Sequence, residues 1–364
     1  MTNPSDGLPG SSLIDLGWSD FFGDQVLPDE AGALPVRIAN IHRTRISGIS
    51  QIGLIRLVLP ARSNTGDFAV GDWVLADPQA FSMRRRLARK TVLARRTEGN
   101  AAPQLAGANI DTLFIVTSCN AEFNVARLER YVALANEAGI TPVILLTKAD
   151  LTKDAGSYLE QAVALQRGLP VVVCNPRNGH AAGDLHAWCG RGQSVALVGS
   201  SGVGKSSMVN ALAGAAPDQL QQTGSIREHD AQGRHTTTSR SLHATSSGGW
   251  VIDTPGMRTL HVSDAAAGID ELFAEIIELA PLCRFRDCTH AHEPGCAVSN
   301  AVSGGTLNPE RVARWRLMVA ENRSNTPKMK NPGGSRPTVL RHGKSHLGDG
   351  YSTASRSTIN RSRS

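Results

Sequence analysis

Residues Gly199-Ser200-Ser201-Gly202-Val203-Gly204-Lys205-Ser206 fill every fixed position of the pattern G-x-x-x-x-G-K-[ST]. An apolar stretch, Ser194–Val198, leads into them, and a helix-forming stretch, Lys205–Ala213, leads out. Glycines let a backbone approach phosphate closely, and the N–H groups at a helix N-terminus then face the anion. Gly199, Ser200, Ser201, Gly202, Val203, Gly204, Lys205, Ser206 and Ser207 are therefore the expected phosphate cradle. In it Lys205 reaches the β- and γ-phosphates and Ser206 ligates Mg²⁺. A second element, Asp253-Thr254-Pro255-Gly256, follows the apolar stretch 250–252. It has the D-x-x-G arrangement, which places Asp253 near Mg²⁺ and the Gly256 N–H on the γ-phosphate.

The base is named by a third element. Thr147-Lys148-Ala149-Asp150 follows the apolar strand expected at 142–146 and resembles the [NT]-K-x-D motif of GTPases. A carboxylate at Asp150 accepts two hydrogen bonds, from guanine N1–H and from its exocyclic amine. Adenine lacks that donor pair, so a site containing Thr147, Lys148 and Asp150 favours GTP over ATP. In ordinary GTPases this motif comes after the phosphate loop; here it comes before it. Residues meet in space and not in chain order, so circular permutation of one sheet is the simplest account.

The residue after D-x-x-G is Met257, where many GTPases carry a water-orienting Gln. Slow intrinsic hydrolysis with outside help follows. His235 is the candidate for positioning water, with a loop histidine of no chemical role as the alternative. Thr237 or Thr238 would close on Mg²⁺ and the γ-phosphate. The stretch 223–239 is polar and Gly-punctuated, as a switch loop must be.

The six cysteines include Cys283, Cys288 and Cys296, arranged as Cys283-x4-Cys288-x-His290-x5-Cys296. Residues 1–10 show no basic start followed by an apolar run, so neither secretion nor a disulfide framework is expected. Three thiolates and one imidazole at this spacing suit a closed, structural Zn²⁺ site. His292 competes with His290 for the imidazole position.

The elements that must position these residues follow from length and rhythm. A chain of 364 residues, 40% of them hydrophobic, suits two or three soluble domains. No stretch approaches the ~18–20 apolar residues of a membrane span, so no membrane partner and a cytoplasmic location are expected. Residues 1–34 are Gly-, Pro-, Ser- and Asp-rich and read as a flexible lead-in. Residues 35–100 carry short alternating strands (36–39, 55–59 and 70–74), which suggest a small all-β barrel. Between Asp77 and Glu98 stand Arg84, Arg85, Arg86, Arg89, Lys90, Arg95 and Arg96 with no acid among them, a nucleic-acid footprint that contacts phosphate more than bases. From about residue 101 to 279 strands and helices alternate: strands at 113–116, 142–146, 170–173, 194–198 and 250–252, and helices at 125–138, 157–167 and 205–213. That is the pattern of a mostly parallel sheet with helices on both faces. Residues 280–322 hold the cysteines and a last helix, with Asn308 as N-cap, Pro309 first, and Val312, Trp315 and Val319 on its buried face. Residues 323–364 carry nine Lys/Arg and one acid, a charge of +8 that leaves about −2 for the rest of a +6 chain. This tail cannot fold alone; it reads as a solvated tail or as an RNA-binding arm.

Over roughly residues 35–320 the chain resembles the small ribosomal subunit biogenesis GTPases. The residues that carry the likeness are Gly71-Asp72-Trp73-Val74, the permuted motif order, the loop 199–207, Gly233-Arg234-His235-Thr236-Thr237-Thr238, Asp253 to Gly256, and the cysteine cluster. The resemblance implies an α/β fold: an N-terminal OB-fold barrel that binds RNA, a circularly permuted P-loop GTPase domain, and a C-terminal zinc-binding helical subdomain. It favours His290 as the fourth metal ligand. It implies a GTPase that binds the small (30S) ribosomal subunit and its rRNA late in maturation, is stimulated by it, and turns GTP into GDP; separately, a monomer is expected. Two positions depart from the family pattern. Thr147 replaces the usual Asn, and Cys174-Asn175 replaces a Ser-Ala pair whose backbone N–H meets the guanine carbonyl. Altered guanine affinity is expected more than altered selectivity. The rival readings are an rRNA-binding module with GTP as a structural ligand, a permuted GTPase of the large subunit, and an ATP-using P-loop enzyme. The OB barrel paired with the trailing cysteine cluster argues against the second, and Asp150 against the third.

Overall fold

The computed structural model describes residues 12–42, 45–95, 104–214, 240–253 and 262–326. After a short helix α1 (Asp20–Gly23) come strands β1 (Leu34–His42), β2 (Arg45–Ser50), β3 (Gly53–Leu57), β4 (Trp73–Ala76) and β5 (Met83–Arg86). β1 pairs with β2, β2 with β3, β4 with β5 and β4 with β1, all antiparallel. A parallel bridge between Val58 and Ser82 joins the end of β3 to the start of β5 and closes the ring. The circuit β1-β2-β3-β5-β4-β1 is that of a five-stranded OB-type barrel. Alternation drives it: Ile46, Ile55, Leu57, Val36, Ile38, Val74 and Met83 point inward and pack on one another.

The expected strand at 70–74 starts three residues later, at Trp73. The Asp72 carboxylate accepts from Ala69 N–H at 2.8 Å and Gly71 has a φ of +92°, so this stretch turns before it extends. The cationic run is also more ordered than expected, because acids reach it from elsewhere in the chain. Arg84 pairs with Asp77 at 3.1 Å, and Arg85 forks onto Glu30 at 2.7 and 2.6 Å. The Arg85 guanidinium, with the Leu27 N–H, holds the Glu30 carboxyl down at about 2. Arg89 forks onto Asp72 at 2.7 and 2.8 Å, with side chains only 3% and 0% exposed. Arg85 and Arg89 thus serve the barrel, and the footprint shrinks accordingly.

Residues 12–34 are not a free lead-in. Leu16 and Phe22 are buried, and Trp18 meets Trp73 edge-on at 4.9 Å. Arg37 of β1, buried, donates to Leu16 O and to Ser194 Oγ, and Trp250 Nε1 donates to Asp15 O at 2.7 Å. Composition hid this, since a few aromatic residues among many polar ones suffice to dock the segment.

Strands β6 (Val92–Arg95) and β7 (Gln104–Ala108) pair with each other. The boundary expected at residue 100 therefore falls between two partnered strands. The core then runs β8 (Thr112–Ser118), α2 (Val125–Glu137), β9 (Thr141–Thr147), α3 (Ala155–Val163), β10 (Val171–Val173), α4 (Ala181–Asp184), α5 (His186–Cys189), β11 (Ser194–Val198), α6 (Lys205–Ala213), β12 (Arg240–Ala244) and β13 (Trp250–Asp253). The sheet order is β10-β9-β8-β11-β13-β12, parallel through β13, with β12 antiparallel. β12 also pairs with β1 through Asn40 and Ser241, so barrel and core share one sheet.

Helices α7 (Ala266–Leu272), α8 (Ala274–Leu279), α9 (Ala297–Ser303) and α10 (Pro309–Asn325) complete the described chain. α2 and α7 touch so closely that a Cβ on Gly268 would run into the Ala133 carbonyl oxygen. Asn308 caps α10 by accepting from Glu310 N–H at 2.8 Å, as the sequence indicated. Val312 is buried, with Trp315 and Val319 packed beside it. Arg311 was not foreseen on that face. It donates to Glu129 and Glu275 at 2.8 Å each and to the carbonyls of Leu165 and Leu272, and lies 4.2 Å over the Phe273 ring. α10 runs through Asn325, past the boundary expected at 322.

Replacing Arg89 with Ala leaves the Asp72 carboxylate buried and without its ion-pair partner. The expected loss is about 3–5 kcal/mol of stability, read from urea unfolding. A loss below about 1 kcal/mol would mean that water reaches Asp72.

Candidate nucleotide-binding site

β8 is buried along its length and holds β9 on one side and β11 on the other, both parallel. The registers Ser118–Thr147, Ile115–Val198 and Ala196–Ile252 bring the C-terminal ends of β8, β9, β11 and β13 to one edge of the sheet. From that edge emerge the loop 199–204, the motif at Thr147 and the strand end at Asp253. Ligands bind at this edge in open α/β sheets.

The phosphate loop takes the shape its glycines allow. Gly199 has a φ of +142°, and a Cβ there would collide with the Val116 carbonyl oxygen. Val203 is buried in the core and pins the loop from below. Gly204 accepts from Met208 N–H at 2.9 Å, which starts α6 at Lys205. Lys205 Nζ donates to the Ser200 carbonyl, so its ammonium is held against the loop. Ser206 and Ser207 lie half-buried in the first turn, where helix N–H groups have no intrahelical acceptor.

Thr147 joins the base motif to this loop. It is 1% exposed, and its Oγ1 lies 2.6 Å from Val203 O and 3.0 Å from Thr117 O. Its one hydroxyl proton serves those carbonyls, so the Thr-for-Asn departure falls on a loop-to-loop tie. Lys148 takes a left-handed φ of 57°, which turns the chain so that Asp150 stands exposed in the short turn that follows. Cys174 N–H donates to Leu146 O at 3.0 Å and is committed to the sheet. Any backbone donor to a base from this segment must come from beyond it. Burial, with the Asp184 carboxylate nearby, pushes the Cys174 thiol up to about 12, so it stays protonated and is no nucleophile.

Asp253 ends β13 half-buried, directly across from Ser241 of β12. His243 was missed by the sequence reading. Its Nε2 lies 2.7 Å from Ser241 Oγ, and burial lowers its pKa against the opposing pull of Asp253. No motif marks His243; only strand register brings it near. His235, Thr237, Thr238 and Gly256 lie outside the described residues.

The four side chains expected to bind metal come together. One ligand atom from each of Cys283, Cys288, His290 and Cys296 lies within 4.8 Å of every other. His290 Nδ1 is 3.4 Å from Cys283 Sγ and 3.6 Å from Cys296 Sγ, and those two sulfurs are 3.9 Å apart. Tetrahedral metal–ligand bonds of about 2.0–2.3 Å require edges close to these. The group can hold a metal ion. Ala297 N–H donates to Cys283 Sγ and Ser299 N–H to Cys296 Sγ, which suits thiolates at the start of α9. His292 is exposed and outside the group; His290 is buried against Trp315.

A parallel sheet whose phosphate loop follows its base motif in the chain, fused to an OB barrel, defines a circularly permuted P-loop GTPase. The RsgA GTPase family model matches residues 86–263. A small ribosomal subunit biogenesis GTPase RsgA of Mesorhizobium japonicum is 66% identical over 325 residues, covering 89% of this chain and 94% of that protein. Small ribosomal subunit biogenesis GTPase RsgA 2 of Vibrio vulnificus is 43% identical over 316 residues, covering 86% and 89%. Among solved structures, YjeQ from Thermotoga maritima superposes with a TM-score of 0.59 at 24% identity, over 79% of this chain and 98% of that one. YloQ, a circularly permuted GTPase, gives 0.58 at 22%, over 83% and 99%. The chain belongs to the RsgA GTPase family and is a GTP hydrolase.

Two outcomes follow from the geometry. Thr147→Val removes the hydroxyl between the two loops and leaves Val203 O without that donor, a loss of about 1–3 kcal/mol. GDP binding should weaken roughly tenfold or more, by fluorescent-nucleotide titration, with preference over adenine nucleotides kept. Cys288→Ser should abolish metal retention, about one equivalent per chain by elemental analysis in the unaltered protein, and lower the melting temperature. Full metal content in that variant would mean the ion sits elsewhere.

Proposed function

We propose that this GTPase binds the small ribosomal subunit and its rRNA, assists late maturation of that subunit, and leaves when GTP is hydrolysed. The observation that carries the reading is the Thr147 tie, which sets the guanine-reading motif against the phosphate loop. The names of the relatives supply the partner.

In this reading Asp150 accepts from the guanine edge, while the loop 199–207 and Lys205 hold the phosphates. Ser206 and Asp253 hold Mg²⁺, which would neutralise charge on the phosphates when bound. The Gly256 N–H meets the γ-phosphate. His235 orients the attacking water, and Thr237 or Thr238 closes on Mg²⁺ and the γ-phosphate. A structural Zn²⁺ fits the closed set Cys283, Cys288, His290 and Cys296, which leaves no open coordination position for chemistry. The barrel contributes phosphate contacts from basic side chains with no ion-pair partner among the described residues, Arg45 and Arg56 among them, both exposed on the outer strand faces. The basic tail adds counterion release. No helix among the described residues is long and apolar enough to cross a membrane. In this reading the protein acts as a monomer in the cytoplasm, where its ribosomal partner would be.

Hydrolysis of GTP and ATP should be measured with purified small and large subunits. GTP-selective turnover that rises about a hundredfold or more with the small subunit alone is expected. Turnover indifferent to the subunit would leave the GTPase and remove the ribosomal role. His235→Ala should cut the stimulated rate by about 10²-fold while binding GDP normally; an unchanged stimulated rate takes His235 out of catalysis.

A further inference from the structure

The last turn of α10 grips the chain just after the D-x-x-G element. Glu321 Oε1 accepts from Val262 N–H at 3.2 Å, and Asn325 Nδ2 donates to Val262 O at 3.1 Å. Thr326 Oγ1 accepts from Asp264 N–H at 2.8 Å, and Asn322 Oδ1 accepts from Ala265 N–H at 3.0 Å. Four backbone groups between residues 262 and 265 are thus met by side chains from the end of α10 and its C-cap Thr326, some sixty positions later. Glu321 is held in turn by Arg130 of α2, at 3.0 and 2.9 Å. The gripped segment has little freedom of its own. Val262 and Ala265 are buried, and Asp264 takes a left-handed φ of 51°.

The grip lies close in the chain to the nucleotide site. Val262 stands nine residues after Asp253 and six after Gly256. The other end of α10 is tied down by Arg311, and its middle by Trp315 against His290 of the metal cluster. A helix of 17 residues pinned at these two places cannot shift as a rod, so a change at residues 262–265 is taken up as order in its last turn. Immediately beyond Thr326 the chain enters its basic stretch.

We propose that the last turn of α10 reads the nucleotide state. Glu321, Asn322, Asn325 and Thr326 are positioning residues that anchor the exit of the γ-phosphate element, so GTP and GDP favour different order in that turn. The inference rests on the reading of Asp253 and Gly256 as the γ-phosphate element. Coupling of this kind is reciprocal: whatever loosens the turn must change the preference for GTP over GDP. A grip that only docks α10 would weaken both nucleotides alike.

The test uses the full chain with GDP and a non-hydrolysable GTP analogue. In the unaltered protein, amide hydrogen exchange across residues 318–326 should differ between the two states. In the double variant Asn322→Ala/Thr326→Val, the ratio of the two dissociation constants should shift by about fivefold or more. Asn322→Asp/Thr326→Ser keeps both acceptor oxygens and should restore the ratio. Identical exchange in the two states overturns the proposal, even if the double variant fails to fold. So does an unchanged ratio in a folded double variant. An Asp253→Asn variant that binds the GTP analogue with Mg²⁺ as tightly as the unaltered protein would instead overturn the reading of Asp253 as part of the γ-phosphate element, and the grip's role with it.

Discussion

The parallel pairing of β8 with strands on both sides is the constraint on which the site depends. Because β9 and β11 flank β8 in register, the turn after Thr147 and the turn after Val198 leave the sheet side by side. Residues 147 and 203 are far apart in the chain yet share a hydrogen bond. Permutation is therefore harmless to chemistry. A sheet fixes which strand ends are neighbours, and the connections between strands can be rewired as long as each loop still starts from the same edge. The apolar residues of β8, fully buried on both faces, are what specify this, since a strand with no solvent face cannot sit at an edge.

Much of this was legible in the residues. The phosphate loop, the base motif and the cysteine cluster are local in sequence, so their spacing carries their geometry directly. The β/α alternation from residue 112 onward is long and strongly patterned, and the expected strands at 142–146 and 194–198 lie within or coincide with the observed β9 and β11. The readings that failed concern partners distant in the chain. Arg89 stands in a run without acids, yet its acid, Asp72, sits immediately before β4, the strand that pairs with β5. Glu30 reaches Arg85 in the same way. A charge count along the chain cannot see a pair formed by folding, and a run of arginines overstates the cations left for any anionic partner.

The lead-in segment failed for a related reason. Its composition is that of a disordered stretch, but composition averages over residues, and docking needs only a few anchors. Leu16, Trp18 and Phe22 supply apolar burial, while Arg37 and Trp250 supply donors for the backbone carbonyls of Leu16 and Asp15. Arg37 also reaches Ser194 at the start of β11. One barrel residue thereby touches the lead-in and the GTPase sheet together, and β1 adds a second link by pairing with β12. The barrel is not a bead on a linker.

The same logic governs the other end of the chain. A helix that packs against the Cys283, Cys288, His290 and Cys296 cluster could have been joined to the core by apolar packing alone. Instead α10 places Arg311 in the interior, where it meets Glu129 at 0% exposure, and Arg314 shares the same carboxylate at 3.0 Å. Buried ion pairs contribute little net stability over a hydrophobic equivalent, because desolvation offsets their attraction. What they do supply is a penalty for any other docking angle, since a rotated or shifted α10 would strand a charge in the core. Tolerance for sliding is what a helix loses by such pairing, so a change at the far end of α10 must be taken up as local order in its last turn and not as a shift of the whole helix.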